Sequence, residues 1–377
     1  MSVSNIPQKV RQVLFGLAAG RCQYRGCNKL LTEDHLTRRQ GKFSVFAHII
    51  ADEPGGPRGD PQLSKKLAKD ITNIMLLCLD HHRLVDVDAE EDHPVELLRE
   101  FKAEHEDRVR RLTDIQGEHR TLIVRMVGNI GTRKGLVGSE ILDAVLPRYP
   151  NPDVVDIEPA RLRVADGGPA SWAAGVEEIE ARAAQVHELA LRHDVDHISV
   201  FALAPIPLLM KLGLALGDIG TVIPHQRRRH PPGWDWLSPH GEPEPFVLVQ
   251  HGDEAERVRE VALVISVSDA VDLAMVAEAA PEGATLFELR VETPMTDIIR
   301  SLRQVRSFRR AVREALTAFR SAFGGDITVR VFPAVPNSLA VAFGQALLPK
   351  ADPCIVVHDM NQQRGGWIEA LELLKGA

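Results

Sequence analysis

Two pairs of metal-ligand residue types constrain the N-terminal part of this chain more than any other feature of its sequence. The first pair is Cys22 and Cys27 in CQYRGC, and the second is Cys78 and His81 in LLCLDHH. Three thiols and one imidazole are enough for one closed tetrahedral zinc site. Because a small module has few core residues, such an ion would contribute folding free energy directly. We therefore predict a structural Zn²⁺ site; the alternative is that these cysteines are small buried apolar residues.

The charges of the chain are unevenly divided. Residues 1–83 hold 13 Lys/Arg and 7 Asp/Glu, whereas the remaining 294 residues hold 32 and 45. A basic segment joined to an acidic remainder is typical of a nucleic-acid-facing module on a body with another task, although scattered surface charges would give the same count. At 377 residues the chain is too long for one ordinary domain, and we predict two, over residues 1–115 and 116–377.

Cysteine usage and hydropathy indicate the compartment. The chain has four cysteines, which is too few for a disulfide framework in a protein of this length. The start, MSVSNIPQKVRQ, has no hydrophobic signal core, and the apolar stretch FALAPIPLLMKLGLALG is broken by Pro, Lys and Gly. We expect a cytoplasmic protein with no membrane partner.

Strand-like and helix-like segments alternate after residue 117. The segments TLIVRMVGNI, HISVFALA, VALVISVSD, TLFELRVE, DITVRVFPAV and ADPCIVVHDM predict strands, and longer amphipathic segments such as ASWAAGVEEIEARAAQVHELALRH predict helices between them. We read SEILDAVLPRYP as a helix followed by a turn. This alternation predicts an α/β domain with parallel sheets and helices on both faces. The turns APIP and FPAVPNS resemble equivalent corners in two halves.

A second set of polar residues, His48, Asn73 and His82, is threaded through the zinc-ligand pairs. A free imidazole, with a pKa of about 6.5, is mostly neutral near pH 7 and can accept a proton from water. Taken alone, a histidine at the end of a strand-like segment is more often a core residue. Its position between the two ligand pairs favours a catalytic role for His48.

The combination CQYRGC…FAHII…DITNIMLLCLDHHRLVD, over residues 10–110, resembles the HNH family of ββα-metal nucleases. The resemblance implies an α+β, zinc-containing ββα-metal fold. It further implies that His48 is the general base, that Asn73 holds the His48 loop or touches the metal, and that His82 binds a catalytic divalent ion such as Mg²⁺. The substrate of such a head would be double-stranded DNA.

The chain departs from the common HNH pattern at one position. Many members place Asp or His directly before the base as a metal ligand, and this chain has Ala47 there. The catalytic ion would then need oxygen ligands from elsewhere. Asp86, one helical turn after His82, is the first candidate, and Asp70 and Asp52 are the others.

Cationic side chains are spread through the first domain, as expected of a protein that contacts the phosphate backbone without reading sequence. They are Arg11, Arg21, Arg25, Lys29, Arg38, Arg39, Lys42, Arg58, Lys65, Lys66 and Lys69. Because no recognition-helix signature accompanies them, we expect little sequence specificity.

Five segments of the remainder resemble the SAVED domain, a fusion of two CARF-like, Rossmann-like units that senses cyclic oligonucleotides. They are HISVFALAPIPLLMKLGLALGD, RHPPGWDWL, VALVISVSDAV, TLFELRVETP and VFPAVPNSLAVAFGQAL. With the head, the chain resembles the HNH–SAVED effector nucleases of CBASS, a bacterial anti-phage system. The resemblance implies a nuclease that degrades DNA in abortive infection once a cyclic di- or trinucleotide binds.

Ligands of parallel α/β sheets bind beyond the carboxyl ends of the strands, where helix N-termini offer free N–H groups. Predicted corners of this kind contain Pro205, Thr293, Pro336, Asn337 and Ser338.

Other ligand-binding candidates are singled out by their residue type. Lys211 is the only lysine between residues 135 and 349, so we expect a phosphate partner or a side chain that extends to solvent. Trp234 and Trp236, close to Arg227, combine stacking faces with a cation, and Trp172 has a similar character. The alternative for each tryptophan is core packing.

The sequence therefore predicts a ligand-gated, zinc-stabilised, metal-dependent DNA endonuclease whose dimers assemble into a larger homo-oligomer on activation. One alternative is a restriction-type HNH enzyme whose C-terminal region reads DNA or modified bases, which the acidic charge of that region disfavours. The other is a zinc module without enzymatic activity, which leaves the set of His48, Asn73 and His82 unexplained.

Overall fold

The computed structural model describes residues 5–34, 36–114, 119–128, 136, 138–158, 168–217, 220–237, 245–252, 259–361 and 365–375. The chain forms two compact units, Met1–Ile115 (unit 1) and Gln116–Ala377 (unit 2). The residues at the predicted domain boundary, 115 and 116, lie outside the described ranges. Within those ranges, no helix has the length and apolarity needed to cross a bilayer.

Unit 1 combines a two-stranded antiparallel sheet with α-helices. Its elements are α1 (Gln8–Leu17), β1 (Ser44–His48), α2 (Leu63–Leu67), β2 (Ile74–Cys78), α3 (Leu79–Arg83) and α4 (Val95–Thr113). In the sheet, Ser44 lies opposite Cys78 and His48 lies opposite Ile74. Since four residues of strand span about 13 Å, the register places Cys78 and His48 at opposite ends of the sheet.

The core of unit 1 is small and includes two of the predicted zinc ligands. Leu14 of α1, Leu76 of β2 and Leu98 of α4 are fully buried in the same cluster as Cys22 and Cys78. A core of this size gives limited hydrophobic stabilisation. The fold of unit 1 is therefore expected to depend on the cysteine cluster.

Unit 2 contains two sheets flanked by helices. Its elements are β3 (Arg120–Val127), α5 (Gly138–Val145), β4 (Tyr149–Ile157), α6 (Pro169–His193), β5 (His197–Leu203), α7 (Ile206–Leu216), β6 (Thr221–Pro224), β7 (Val247–His251), β8 (Glu260–Ser266), α8 (Leu273–Ala279), β9 (Thr285–Arg290), α9 (Leu302–Phe323), β10 (Thr328–Ala334), α10 (Asn337–Ala346), β11 (Cys354–Asn361) and β12 (Gly366–Lys375). One sheet has the order β4-β3-β5-β6, and the other has the order β12-β11-β10-β8-β9-β7.

Most neighbouring strands of unit 2 are parallel, as the alternation of strands and helices predicts, but three edge strands were not anticipated. β7 and β12 are antiparallel to their neighbours. The helix and turn predicted over SEILDAVLPRYP are present as α5 and the residues after it, but β4 (Tyr149–Ile157) begins at the last two residues of that segment and was not predicted. Its prolines, at positions 150 and 152, are compatible with an edge strand because one side of its backbone needs no partner strand.

Helices α7 and α10 occupy equivalent positions in the two halves of unit 2 and contact each other closely. A Cβ atom added at Gly213 would lie 1.9 Å from the Val341 carbonyl oxygen, and one added at Gly344 would lie 1.9 Å from the Met210 carbonyl oxygen. Gly213 and Gly344 are both the eighth residues of their helices, and Met210 and Val341 are both the fifth. This reciprocal contact supports the duplication suggested by the two Pro-containing corners.

Candidate functional site

The four predicted zinc ligands lie together in unit 1. The ligand atoms of Cys22, Cys27, Cys78 and His81 are all within 4.8 Å of one another. The Nδ1 atom of His81 is 3.1 Å from Cys78 Sγ and 3.7 Å from Cys22 Sγ. Three sulfur atoms and one imidazole nitrogen at this spacing fit one tetrahedral Zn²⁺ ion.

Local structure orients these four side chains toward one another. Cys78 is the N-cap residue of α3, and its Sγ atom accepts from the backbone N–H of His81. The ring of Tyr24 stacks on His81 with 4.1 Å between centroids. The hydroxyl of Tyr24 lies 3.0 Å from Nε2 of His93. Tyr24 thus fixes the plane of the His81 imidazole, a role that the sequence analysis missed.

The protonation of the cluster bears on metal binding at both the thiols and the imidazole. Burial raises the pKa of the Cys22 thiol far above its ordinary value, against backbone hydrogen bonds from Cys78 and Tyr24 that lower it. Burial lowers the pKa of His81, so its ring is neutral and retains a lone pair for a metal. A divalent cation would replace the thiol protons, which is how metal binding is coupled to folding.

His48 has a defined tautomer at the end of β1. Its Nε2 atom is 2.9 Å from the carbonyl oxygen of Ala68, directly after α2. Because a carbonyl oxygen only accepts hydrogen bonds, we assign the ring proton to Nε2, which leaves Nδ1 unprotonated in the neutral ring. His48 is 8% exposed, but it lines a cleft of about 270 Å³. The side chain therefore has access to a space in which a phosphate group fits.

Asn73 holds the segment that follows His48. Its Nδ2 atom donates to the carbonyl oxygen of Ile50 over 2.8 Å, and its Oδ1 atom accepts from the Ile50 N–H over 2.9 Å. The side chain is fully buried. Of the two roles implied by the HNH resemblance, this geometry corresponds to holding the His48 loop.

His82 and Asp86 line the same cleft as His48. The Nε2 atom of His82 is 3.2 Å from Oδ2 of Asp86. Burial raises the pKa of Asp86, but hydrogen bonds from His82 and Arg58 lower it further than burial raises it. An ionised carboxylate and an imidazole offer oxygen and nitrogen ligands that suit a divalent cation.

The other candidate ligands for a catalytic ion differ in their placement. Ala47 and Asp52 line the cleft with His48. Asp70 instead caps the turn Ile71–Asn73, where its carboxylate accepts from the backbone N–H and the hydroxyl of Thr72. The prediction that Asp70 contributes to the metal site is therefore not supported, because its Oδ1 atom is used in a local cap and Asp70 is not among the residues that line the cleft.

Arg58 ties the two sides of the cleft together. Its Nε atom donates to Ile49 O over 2.8 Å, Nη1 to Val85 O over 2.6 Å, and Nη2 to Oδ1 of Asp86. The side chain is only 6% exposed. Arg58 was expected to contact phosphate, and that expectation is wrong because its guanidinium is buried and occupied by protein partners.

Replacing Arg58 by lysine is expected to lower the free energy of unfolding by about 3 kcal/mol, because an ammonium cannot make this fork of contacts and leaves a buried carboxylate poorly paired. Arg38→Lys is a matched control, since Arg38 is exposed and has a similar left-handed φ of 58°, against 53° at Arg58. Urea denaturation of the full chain measures both. Equal losses in the two variants would contradict the structural role of Arg58.

Unit 1 has less net positive charge and fewer unpaired cations than the sequence of residues 1–83 suggested. Residues 84–115 add 5 Lys/Arg and 11 Asp/Glu, so unit 1 holds 18 of each and is not basic overall. Arg25 pairs with Glu100 and Glu104, at 2.9 and 2.7 Å. The exposed lysines on and after α2 have no ion-pair partner within the described residues; they are Lys65, Lys66 and Lys69. These lysines flank Ala68, whose carbonyl holds His48.

In unit 2, several predicted ligand-binding residues meet at the carboxyl ends of the parallel strands. The Nδ2 atom of Asn337, the first residue of α10, donates to Ala202 O of β5 over 3.1 Å. The hydroxyl of Ser338 donates to Oε1 of Gln226 over 2.7 Å, and the Ser338 N–H donates to the same oxygen over 3.2 Å. We call the region around Ala202, Gln226, Asn337 and Ser338 the strand-end edge. Gln226 follows a short strand and was missed because no motif marked it.

The remaining corner residues lie near the same strand ends. Pro205 is the N-cap residue of α7, and Pro336 is the N-cap residue of α10. Thr293 is exposed and precedes Met295, whose N–H donates to Val267 O, directly after β8, over 3.0 Å. The corners predicted from proline and threonine are therefore placed where a ligand of an α/β sheet binds.

The predicted aromatic contacts are largely core contacts. Trp234 is completely buried and packs edge-on against Phe201. Trp172 of α6 is also buried. Trp236 is half-buried, and its ring stacks on His225 at 5.8 Å between centroids. Base stacking on Trp234 and Trp172 is therefore excluded in this conformation, because no face of either ring is accessible.

The two predicted phosphate-binding cations of unit 2 have protein partners. Lys211 forms an ion pair of 2.6 Å with Glu180 of α6. Arg227 forms one of 2.5 Å with Glu140, and its guanidinium lies over the ring of Trp234. The argument that Lys211 requires a phosphate no longer holds, because a carboxylate on the neighbouring helix balances its charge.

Buried neutral histidines make the stability of unit 2 sensitive to acid. Burial lowers the pKa of His225, His197 and His358 to about 4 each. In the unfolded chain these histidines bind protons near pH 6.5. The contribution of the three neutral rings to the free energy of unfolding is therefore complete above that pH, and it is lost as the pH falls toward 4.

Replacing His225 by phenylalanine is expected to remove about 3 kcal/mol of this loss of stability between pH 7 and pH 4. Urea denaturation at several pH values in that range measures the change. His193→Phe, at a partly exposed site, should leave the pH dependence unchanged. Parallel curves for wild type and His225→Phe would contradict the assignment.

The fold and its sites define a two-domain class of protein, in which a small head with a Cys₃His ligand cluster and a histidine-lined cleft precedes an α/β domain of mainly parallel sheets. Residues 179–373 match the family described as "SMODS-associated and fused to various effectors sensor domain", abbreviated SAVED. This match covers more than half of the chain. The protein therefore belongs to the SAVED family.

Some solved structures are similar to this chain at low sequence identity. The Acinetobacter baumannii Cap4 SAVED/CARF-domain containing receptor with the cyclic trinucleotide 3'3'3'-cAAA is 11% identical, with a TM-score of 0.46, and the alignment covers 74% of this chain and 56% of that chain. The Moraxella osloensis Cap4 receptor is 12% identical, with a TM-score of 0.41, and the alignment covers 84% and 70%. This chain thus spans little more than half the length of the Acinetobacter receptor. No protein of curated function matches it.

Proposed function

We propose that this protein is a metal-dependent endonuclease of the HNH type that degrades double-stranded DNA with little sequence preference, and that a cyclic di- or trinucleotide bound by its SAVED domain activates it in anti-phage defence. The observation that carries the nuclease proposal is the fixed tautomer of His48, whose Nε2 atom is held by Ala68 O in a cleft shared with His82 and Asp86. A closed zinc module without enzymatic activity needs none of these groups.

In the proposed reaction, Nδ1 of His48 accepts a proton from a water molecule in the cleft. The oxygen of that water attacks phosphorus, the bond from phosphorus to the 3′ oxygen breaks, and the 3′ oxygen takes a proton from solvent. Asn73 keeps the His48 segment in place through its two hydrogen bonds to Ile50. General-base assistance of this kind contributes about 10²- to 10⁴-fold to the rate.

His82 and Asp86, with Asp52 at the same cleft, would hold the catalytic divalent cation. When bound, such an ion neutralises charge that develops on the phosphate and the leaving oxygen. Arg58 contributes by fixing Oδ1 of Asp86, so that Oδ2 remains on the side of His82. The Cys₃His cluster lies at the other end of the β1–β2 sheet and would hold a separate, structural Zn²⁺ ion.

The activating ligand is proposed to bind at the strand-end edge of unit 2. The N-termini of α7 and α10 supply N–H groups there, and Asn337, Ser338 and Gln226 link the two halves through side-chain contacts. A ligand with two or three phosphates suits a domain built from two equivalent halves. We further propose that activation joins dimers into a larger assembly, because one head cuts one strand and two heads are needed for a duplex.

Plasmid degradation tests this function. The full chain with Mg²⁺ is incubated with unmodified and base-modified plasmid, with and without each member of a panel of cyclic di- and trinucleotides. The proposal expects cleavage of both DNAs with one or a few of the cyclic nucleotides. Cleavage that depends on base modification and ignores the nucleotides would favour a restriction-type enzyme, and no metal-dependent nicking under any condition would reject the nuclease.

The lysines beside α2 are expected to carry DNA binding. The triple change of Lys65, Lys66 and Lys69 to glutamine should weaken binding to plain duplex DNA. The logarithm of the association constant falls as the logarithm of the salt concentration rises, and this slope should become less steep by about 2 to 3, since each phosphate contact contributes about 0.9. Lys350→Gln, an exposed lysine of unit 2, is the control. An unchanged salt slope in the triple variant would place the DNA elsewhere.

A further inference from the structure

We propose that unit 2 carries a second anion site, which takes a phosphate group and is built from residues other than those of the strand-end edge. It lies in a cavity of about 180 Å³ between β6 and α9. The cavity is lined by β6, by Val305, Arg306 and Arg309 of α9, and by Gln345 of α10. None of these groups takes part in the proposed nuclease reaction.

The cavity wall is cationic and has no opposing carboxylate among the residues that line it. Arg306 and Arg309 are exposed, are one helical turn apart, and have no hydrogen-bond or ion-pair partner within the described part of the chain. In contrast, Arg313 of the same helix pairs with the buried Asp352. Two unpaired guanidinium groups beside a cavity favour an oxyanion, which they can bind through parallel N–H donors.

The edge strand β6 adds a backbone donor. The N–H groups of Thr221 and His225 donate to β5, at Asp196 O and Val200 O. Because N–H and C=O groups alternate in direction along a parallel strand, those of Val222 point away from β5. Val222 O accepts from Nε2 of Gln345 over 3.2 Å, so this side of the strand faces α10 and the cavity.

Gln345 indicates which oxyanion the cavity suits. The residue is nine-tenths buried, and its Oε1 atom has no hydrogen-bond partner within the described residues. The contact of Nε2 with Val222 O fixes the orientation of the amide, so the unsatisfied atom is an acceptor that requires a donor. Carboxylates and sulfate have no O–H near neutral pH. A phosphomonoester monoanion, with a second pKa of about 6, has one, and so does the monoanion of inorganic phosphate.

Calorimetric titration of the full chain with inorganic phosphate at about pH 6, where the monoanion is abundant, tests the proposal. We expect Arg306→Gln and Arg309→Gln each to weaken phosphate binding about tenfold. Arg320→Gln, at an exposed arginine in the last turn of the same helix, should leave it unchanged. Melting curves confirm that each variant is folded.

Two further titrations define the ligand. Sulfate should bind more weakly than phosphate, because it offers no donor to Gln345. If AMP competes with inorganic phosphate, the site takes the phosphate of a nucleotide. If AMP does not compete, the site takes the free phosphate ion. The proposal is overturned if wild type binds no phosphate, if sulfate binds as tightly, or if Arg320→Gln weakens binding as much as Arg306→Gln.

Discussion

Replacement of His48 by alanine is expected to lower DNA cleavage by about 10²- to 10⁴-fold while the protein remains folded and still binds its cyclic nucleotide. The imidazole is the only group at the cleft whose tautomer is fixed by a contact to backbone, at Ala68 O, within the described residues. Its removal deletes the proton acceptor but leaves the Asn73 contacts to Ile50 intact.

The measurement for this variant is the initial rate of plasmid nicking at saturating Mg²⁺ and cyclic nucleotide. His193→Ala is the control, since it removes a partly exposed histidine that pairs with Asp153 in unit 2. A rate for His48→Ala within a few-fold of the control would show that another group accepts the proton. A loss of nucleotide binding in His48→Ala would show that the variant is disturbed beyond the cleft.

The second large effect is expected at the cysteine cluster. Cys22→Ser or Cys78→Ser should remove one equivalent of zinc per chain and unfold unit 1, because apparent free energies of zinc binding to small modules are about 10–16 kcal/mol at pH 7. This exceeds the stability that a core as small as that of unit 1 provides. Unit 2 should keep its own melting transition.

Metal analysis and limited proteolysis of the full chain measure this effect. Cys354→Ser is the matched control, because Cys354 is the remaining cysteine and lies in β11 of unit 2, outside the cluster. Protease sites in residues 1–115 should become accessible in Cys22→Ser and after treatment with a strong chelator, but not in Cys354→Ser. Unchanged zinc content and protection in Cys22→Ser would contradict a structural metal.

Short motifs with fixed chemistry could be predicted from the sequence. The spacing of Cys22, Cys27, Cys78 and His81 named four residues whose ligand atoms the structure brings within 4.8 Å of one another. This succeeded because soft ligands at paired spacings have few other uses in a chain with only four cysteines. The α/β character of the second domain followed from the alternation of apolar strands with amphipathic helices.

Ion pairs and hydrogen bonds between segments that share no motif could not be predicted. The partner of Lys211 is Glu180, on a separate helix, and no pattern in the sequence pairs the two residues. Arg58 looked like any cation of a DNA-binding surface until the fold placed Ile49, Val85 and Asp86 around it.

Proximity of aromatic and cationic residues along the chain was also a poor guide to exposure. Trp234 and Trp236 lie close to Arg227 in the sequence, and this combination of stacking faces with a cation suggested a ligand platform. Trp234 instead fills the interior against Phe201, because large aromatic side chains gain most free energy when they are removed from water. The corner residues Asn337 and Ser338 do lie where they were expected, since strand-to-helix corners have a fixed place in parallel sheets, and their role in ligand binding stays a prediction.

We propose that phosphodiester hydrolysis in the His48 cleft requires an occupied SAVED domain. The most direct test is the rate of plasmid nicking by the wild-type full chain as a function of cyclic oligonucleotide concentration, at constant Mg²⁺. The nicking rate should be near zero without nucleotide and should rise saturably with the nucleotide that binds. Full nicking in the absence of any nucleotide would contradict it.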